Sequence, residues 1–202
     1  MTDRPIIFSG SMVRALLDGR KTQTRRLSTS PLRRVEVGDR LYVREAWSGL
    51  FWDPEDIDGR AREFWETPKI ERTADLSSGV FYRLDEETKP HGLQFTPEVQ
   101  WTPSIHMPRW ASRLTLIVEE VRAQLLGHMT EADAIAEGIY CERQEGWSAT
   151  GDSWYASPKI AFHQLWDSLH TKAGERWQDN PVIVALTFRV ERGNIDQIAR
   201  AA

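Results

Sequence analysis

The chain has 202 residues, 40% hydrophobic and 28% charged, with a formal net charge of −4 and a pI of about 5.8. That length suits one domain with a sizeable core, and the acidic balance excludes a dedicated nucleic-acid coat, because sequence-independent affinity comes from neutralising phosphates. Cys141 is the only cysteine, so no intramolecular disulfide forms and a reducing compartment is expected; with no run of about 18 apolar residues and no signal pattern in MTDRPIIFSG, the expectation is a cytoplasmic protein with no membrane partner.

The charge is unevenly spread. Residues 1–44 hold ten Lys/Arg against four Asp/Glu, a local +6, which leaves −10 for the remainder. A positive field focused on one segment fits a small anionic or polar ligand, or a short RNA contact, better than a long duplex. Within it, PIIFSGSMVRALLDGR reads as a short strand over residues 5–8, a Ser9 or Ser11 cap, and a helix carrying Val13, Leu16 and Leu17 that closes at Gly19. GRKTQTRR, residues 19–26, then sets four cations and three uncharged polar side chains around one glycine with no apolar residue, and reads as a polar segment leaving the helix.

VEVGDRLYVREAW shows a Gly38-Asp39 turn followed by alternation, with Leu41 and Val43 on one face and Arg40, Tyr42 and Arg44 on the other, as in a half-buried strand. Over residues 48–78 periodicity is lost and acids accumulate, which marks an insertion placed to act as a lid within a single domain spanning 1–202. GVFYRLD reads as a strand. SRLTLIVEEVRAQLL alternates Leu114, Leu116 and Val118 before the pattern shifts near Glu119-Glu120, predicting a bulge. MTEADAIAEGI carries a capping box, Thr130 with Asp133, and stops at Gly138.

After a Gly/Ser/Trp-rich loop at 146–156, Ser157 and Pro158 open a helix whose Phe162, Leu165, Trp166 and Leu169 repeat as i, i+3, i+4, i+7. NPVIVALTFRVER closes the chain as an apolar strand. About five strands and three helices, not alternating, predict an α+β fold around a small curved sheet or barrel with flanking helices.

The five histidines, His91, His106, His128, His163 and His170, form no HExxH, no HxH and no His-Cys pair at ligand spacing, so no metal site and no cofactor are expected. GxxxxGK[ST], GxGxxG and GxSxG are absent as well. Lys21 and Thr24 remain. A threonine hydroxyl becomes a nucleophile when a neighbouring base takes its proton, and lysine serves only when neutral. A fall from about 10.4 to near 7 is what partial burial and the like charges of Arg20, Arg25 and Arg26 would have to supply; the arginines would also hold an oxyanion. A solvated basic loop that binds phosphate is the other reading of the same residues. Glu137, directly before Gly138, opposes its helix dipole, which raises a carboxyl pKa slightly and suits a proton donor; an exposed glutamate of no consequence is the alternative.

Nine tryptophans include Trp47, which follows YVREA, and Trp101 and Trp110, which WTPSIHMPRWASR interleaves with His106 and Arg109. Such planes stack on nucleobases. Tryptophans also anchor cores, and both readings stand for these positions.

GRKTQTRR, GDRLYVREAW, PSIHMPRWASR and TEADAIAEGI, in this order and followed by LWDSL and NPVIVALTF, resemble the ASCH domain family of PUA-like barrels, in particular its bacteriophage and prophage members. The likeness spans nearly the whole chain. The family pattern GxKxxExR is met at Gly19, Lys21 and Arg26, with Thr24 where the pattern has glutamate. That departure is similar to a subset typified by small bacterial N4-acetylcytidine amidohydrolases, whose motif reads GRKTxTxR. The resemblance implies a Lys21 base, a Thr24 nucleophile and a Glu137 proton donor, seven residues after Thr130, acting without metal on an N4-acylated cytosine nucleoside. Arg26, Trp47, Trp101, His106 and Arg109 are then the candidate substrate-binding residues. An RNA-binding ASCH module without catalysis, or a ribonuclease, is the alternative, and RNA stays open as a partner; oligomeric state is not legible.

Overall fold

The computed structural model describes residues 2–51, 62–63, 78–83 and 101–198. β1 (Asp3–Ile7) leads through Ser9 into α1 (Gly10–Leu17), whose Met12, Val13, Ala15 and Leu16 are buried as one apolar face. Gly19, at φ +72°, stops the helix in a left-handed conformation that a Cβ would disfavour. The chain then reverses into β2 (Gln23–Leu27). Here the structure corrects the sequence expectation. The basic run is not a solvated loop: its second half is a strand, and Lys21, Thr24 and Arg25 are buried.

A left-handed turn at Gly38 leads into β3 (Arg40–Arg44). This strand was expected to be half buried, yet Arg40 and Tyr42 are covered along with Leu41 and Val43. The reason is the C-terminal segment, which lies across that face: Arg40 donates to the Ile195 and Ile198 carbonyls at 3.1 and 2.9 Å and grips both Asp3 oxygens at 2.8 Å. β4 (Trp47–Phe51), β5 (Arg62–Glu63) and β6 (Ser78–Tyr82) form a separate antiparallel sheet in the order β5-β4-β6. The stretch read as an aperiodic insertion therefore carries strands at both its ends; residues 52–61 and 64–77 lie outside those described, and so does the expected lid.

β7 (Leu114–Leu125) is followed by α2 (Glu131–Ala136), the hairpin of β8 (Tyr140–Glu142) and β9 (Gly146–Ser148), α3 (Pro158–Leu169) and β10 (Val182–Arg192). The principal sheet runs β1-β3-β7-β10-β2, parallel only between β1 and β3. It curls into a half-barrel, and with the three helices the fold is the expected α+β type. Along β7 and β10 the register jumps between Thr187 and Phe188, leaving Glu119 as the extra residue of a bulge where the sequence pattern shifts. Arg26 crosses from β2 to donate to the Ile7 carbonyl at 3.2 Å, tying together the two edge strands.

The core lies inside this curl. Val13 and Leu16 of α1 and Phe162 and Trp166 of α3 join Leu41, Leu116, Leu186 and Phe188 in one cluster. α3 starts as read, with the Ser157 hydroxyl accepting from the Ile160 N–H and Pro158 in the first turn. Leu169, expected on its packing face, is exposed instead. Among the described residues no helix is long and apolar enough to cross a membrane.

Candidate active site

Two chain reversals, at Gly19 and at Gly138, bring the site together. After Gly19 both the Arg20 and Lys21 N–H groups return to the Ala15 carbonyl, at 2.9 and 3.0 Å, which folds Lys21 back under α1. α2 begins with the predicted capping box, Thr130 with Asp133, and ends at Glu137. Gly138, at φ +100°, stops it; a Cβ there would come within 2.9 Å of the Ala15 Cβ and 3.2 Å of the Lys21 Cβ. Only glycine lets the two turns touch. Lys21 and Glu137 consequently face each other as an antiparallel bridge.

The side chains complete that bridge. Lys21 Nζ donates to Glu137 Oε2 at 2.6 Å and to the Glu137 carbonyl at 2.7 Å. Arg25 Nη1 donates to Glu137 Oε1 at 3.1 Å, and its Nη2 lies 2.7 Å from Asp133 Oδ1. A carboxylate at the end of its own helix opposes the dipole; here two cations reverse the sign of that environment. Lys21, Arg25 and Glu137 are all nearly inaccessible. Desolvating such charges costs several kcal/mol per ion, so a buried pair is a poor device for stability alone.

Burial dominates the Lys21 ammonium and holds its pKa below the ordinary 10.5; Glu137 pulls it back up, and Arg26 and Arg25 push it further down. The shift that lysine needs to act as a base is therefore in the required direction. Burial also works to raise Asp133, but the Thr130 backbone and hydroxyl and then Arg25 outweigh it and hold that carboxyl at about 2. Asp133 stays ionised and keeps Arg25 in place.

Thr24, on β2, is fully buried, and its Oγ accepts from Arg26 Nη1 at 2.7 Å. Arg26 Nη1 also donates to the Arg25 carbonyl at 2.9 Å, and its guanidinium sits 5.2 Å from the centre of the Phe8 ring. Accepting from a cation lowers the cost of negative charge on the hydroxyl oxygen and leaves the hydroxyl proton to be given elsewhere. Above these groups opens a cavity of about 450 Å³. Lys21, Arg25, Arg26 and Glu137 line its polar side, and Phe8, Met12, Phe162, Leu165, Trp166 and Leu169 its apolar side. Thr150, from the loop at 146–156, and His170 complete the wall. A few convergent polar groups in an apolar recess are the usual form of a small-molecule site.

Of the residues singled out in the sequence, Lys21, Glu137 and Arg26 meet at this cavity, and Thr24 lies against Arg26. The other four lie apart. Trp47 is buried in a small cluster with Met107 and Ala111, edge-on to Trp110 at 6.1 Å; Trp101 is half-buried next to Thr102, whose backbone pairs with Trp47. His106 is exposed at the end of a single turn of 3-10 helix. Arg109 is held by Asp3 at 2.6 Å and Asp196 at 2.7 Å. None of the four lines the cavity. Arg25 was read only as a cation that depresses Lys21 and holds an oxyanion, and Asp133, Phe8, Trp166 and His170 were missed as site residues. Period-2 alternation in QTRRL, had that run been read as a strand, would have separated Arg25 from Thr24 and Arg26; Phe8 read only as the end of a strand and Trp166 as part of a helix's packing face. Among the described residues no group of three or more His, Cys, Asp or Glu is placed to hold a metal ion.

No family model matches the chain, and a search of curated proteins finds no match. Among solved structures, the ASCH domain from Lactobacillus crispatus JV V101 aligns over 94% of this chain and 79% of its own, at 12% identity and a TM-score of 0.43. A protein from Enterococcus faecalis V583, described as DUF984, aligns over 98% of this chain and 86% of its own, at 11% identity and a TM-score of 0.41.

Proposed function

We propose that the protein is a metal-independent amidohydrolase that removes the acyl group from N4-acylated cytosine or cytidine. The observation that carries this is the buried Lys21–Glu137 contact of 2.6 Å on the cavity wall, which Arg26 also lines while holding the oxygen of the Thr24 hydroxyl behind it. The motif resemblance supplies the substrate class, and the geometry supplies groups suited to the chemistry.

One shared proton removes the conflict between a basic lysine and an acidic glutamate. With that proton on Glu137 Oε2, Lys21 is a neutral amine and Glu137 a neutral acid, so one contact holds base and acid together. Nζ then donates to the Glu137 carbonyl and accepts from the Oε2 hydroxyl, so its lone pair becomes free for the Thr24 proton as that hydroxyl turns to N4 of the bound substrate; such contacts rearrange when substrate binds. Thr24 Oγ adds to the acyl carbonyl carbon as its proton passes to Lys21, and Arg26 faces the negative charge that develops. The carbon–N4 bond breaks as Glu137 protonates N4, releasing the amine and leaving an acyl ester on Thr24. Water then adds to the ester, giving its proton to the Glu137 carboxylate. The acid departs as Lys21 returns a proton to Thr24 Oγ, and both groups regain their starting states.

An RNA-binding module without catalysis, the other reading of the basic run, would need those cations at the surface. Lys21 and Arg25 are instead buried against carboxylates and have little access to phosphate. The test is to mix the protein with N4-acetylcytidine and follow the appearance of cytidine, with Thr24→Ala as control. Turnover lost in the variant supports the assignment; no cytidine from the wild-type protein, or turnover retained in Thr24→Ala, removes it.

A further inference from the structure

The charges at the cavity do not balance. Lys21 faces Glu137, and Arg25 divides its guanidinium between Glu137 and Asp133. Arg122 also reaches Asp133 but has Glu120 of its own. Arg26 is left over. Its guanidinium donates to neutral oxygens only, Thr24 Oγ and the Arg25 and Ile7 carbonyls, and among the described residues it has no carboxylate partner. Those three bonds leave donors to spare. Lys21 and Arg25 are buried, whereas Arg26 keeps some accessible surface on the cavity wall. Burial holds its pKa below the ordinary 12.5, and Glu137 offsets that only in part. Moving the Lys21 proton to Glu137 neutralises that pair and leaves the single positive excess where it was.

We infer that the cavity is a carboxylate site, in which Arg26 takes the head group of a monocarboxylate whose apolar tail lies along α3. An unpaired charge in a partly desolvated wall is costly, and one bound anion removes that cost. The two oxygens of a carboxylate match the fork of a guanidinium. The rest of the wall is mostly apolar, with Phe8, Met12, Phe162, Leu165 and Trp166, so a tail adds burial that a head group alone lacks. The consequence for regulation rests on the amidohydrolase reading. There the acid is the second product, released by water from Thr24 beside Arg26, so it leaves last and can return to the free site. The released acid is then a competitive inhibitor, and turnover slows as it accumulates.

Calorimetric titration with hexanoate and with hexanamide, which has the same shape and no charge, tests the site without turnover. Hexanoate should bind at least about tenfold more tightly than hexanamide, and affinity should rise about threefold per methylene from acetate to hexanoate. Arg26→Met should remove the preference for the acid and leave hexanamide binding nearly unchanged, whereas Arg26→Lys, which keeps the charge, should retain most of that preference. Equal binding of acid and amide, no binding, affinity flat in chain length, or equal weakening of both ligands in Arg26→Met would overturn the site. The wild-type comparison needs no variant, so it decides the matter even if Arg26→Met does not fold. In the hydrolysis assay hexanoate should compete with N4-acetylcytidine. Turnover that saturating hexanoate leaves untouched puts the acid elsewhere, which overturns the site and spares the amidohydrolase. Acid-selective binding that Arg26→Met removes, with no cytidine formed by the wild-type protein, keeps the carboxylate site and discards the amidohydrolase.

Discussion

Two charge networks among the described residues, each with a buried arginine at its centre, are built differently. At the cavity, Lys21 and Arg25 meet Glu137 and Asp133. At the other, Arg40 and Arg109 meet Asp3 and Asp196, and Arg40 also reaches two carbonyls of the C-terminal segment. The second network is built of arginines and aspartates, with no lysine or histidine among its members. Arg40 first of all, through its hydrogen bonds, holds the Asp3 carboxyl well below the usual carboxylate range, and Asp196 and Asp3 push Arg109 upward. It works as a clamp on the chain end. The first includes a lysine whose pKa burial drives down, and it adjoins open space. Charge and burial alone do not mark a site; a titratable member facing a cavity does.

Exchanging the cations tests that distinction most directly. Lys21→Arg keeps the charge but cannot give up a proton, so kcat should fall at least about a hundredfold. Arg40→Lys should leave kcat nearly intact while costing about 2–4 kcal/mol of stability, because one ammonium cannot replace the forked contacts to Asp3 and the two carbonyls. Activity assays beside denaturant titrations give both numbers; a Lys21→Arg protein within tenfold of wild type would make the first network a clamp too. Wild-type kcat should rise with pH through the Lys21 pKa, which lies below 10.5. The sign for stability agrees: between the folded pKa and 10.5 the unfolded chain binds more protons, so this group's contribution becomes more favourable as pH rises, up to the ordinary value. Thr24→Ala should abolish turnover. Since Thr24 is buried and bonded to Arg26, the cost to folding should reach about 1–2 kcal/mol, more than a surface loop residue would give.

How far the sequence disclosed these regions depended on whether the signal was local. The capping box at Thr130, the Ser157-Pro158 start and the shift at Glu119 each follow from a few adjacent side chains, and each is present. The strand at β2 was not legible, because QTRRL lacks apolar alternation. It is buried only because Glu137 and Asp133, more than a hundred residues away, neutralise Arg25. The covering of Arg40 has the same origin in a distant chain end. Motif order singled out Lys21, Thr24 and Glu137 as candidates, whereas nothing in WTPSIHMPRWASR distinguished an aromatic facing a ligand from Trp110 resting on Trp47.

The turns that bring the site together differ from each other as well. Gly19 and Gly138 both have positive φ, but a Cβ at Gly19 meets nothing within 4 Å, whereas one at Gly138 would strike Ala15 and crowd Lys21. Gly19→Ala should therefore cost only the backbone strain, about 1 kcal/mol. Gly138→Ala should cost about 2–3 kcal/mol and should also lower kcat by about tenfold, as Lys21 moves against Glu137. Equal losses of stability in the two variants, with kcat unaffected in Gly138→Ala, would mean that the close approach does not position the lysine.

The smallest effect concerns Asp133, which serves both the α2 cap and Arg25. Its carboxyl lies at about 2 in the folded protein against an ordinary 3.8. The folded state therefore binds this proton less readily than the unfolded chain, so the group contributes stability above about pH 4 and loses it as pH falls through about 2. A depression of that size in a mostly buried side chain corresponds to about 2 kcal/mol at neutral pH. Asp133→Asn should melt roughly 4–8 °C below the wild type at pH 7, and the gap should narrow as the wild-type carboxyl is protonated. Melting curves measured from pH 7 down to pH 3 resolve the two contributions. A gap that narrows assigns the loss to the ionised carboxylate, held so by the Thr130 N–H and hydroxyl and then by Arg25. One that stays constant assigns it to the shape of the side chain in its cap, with no contribution from its charge.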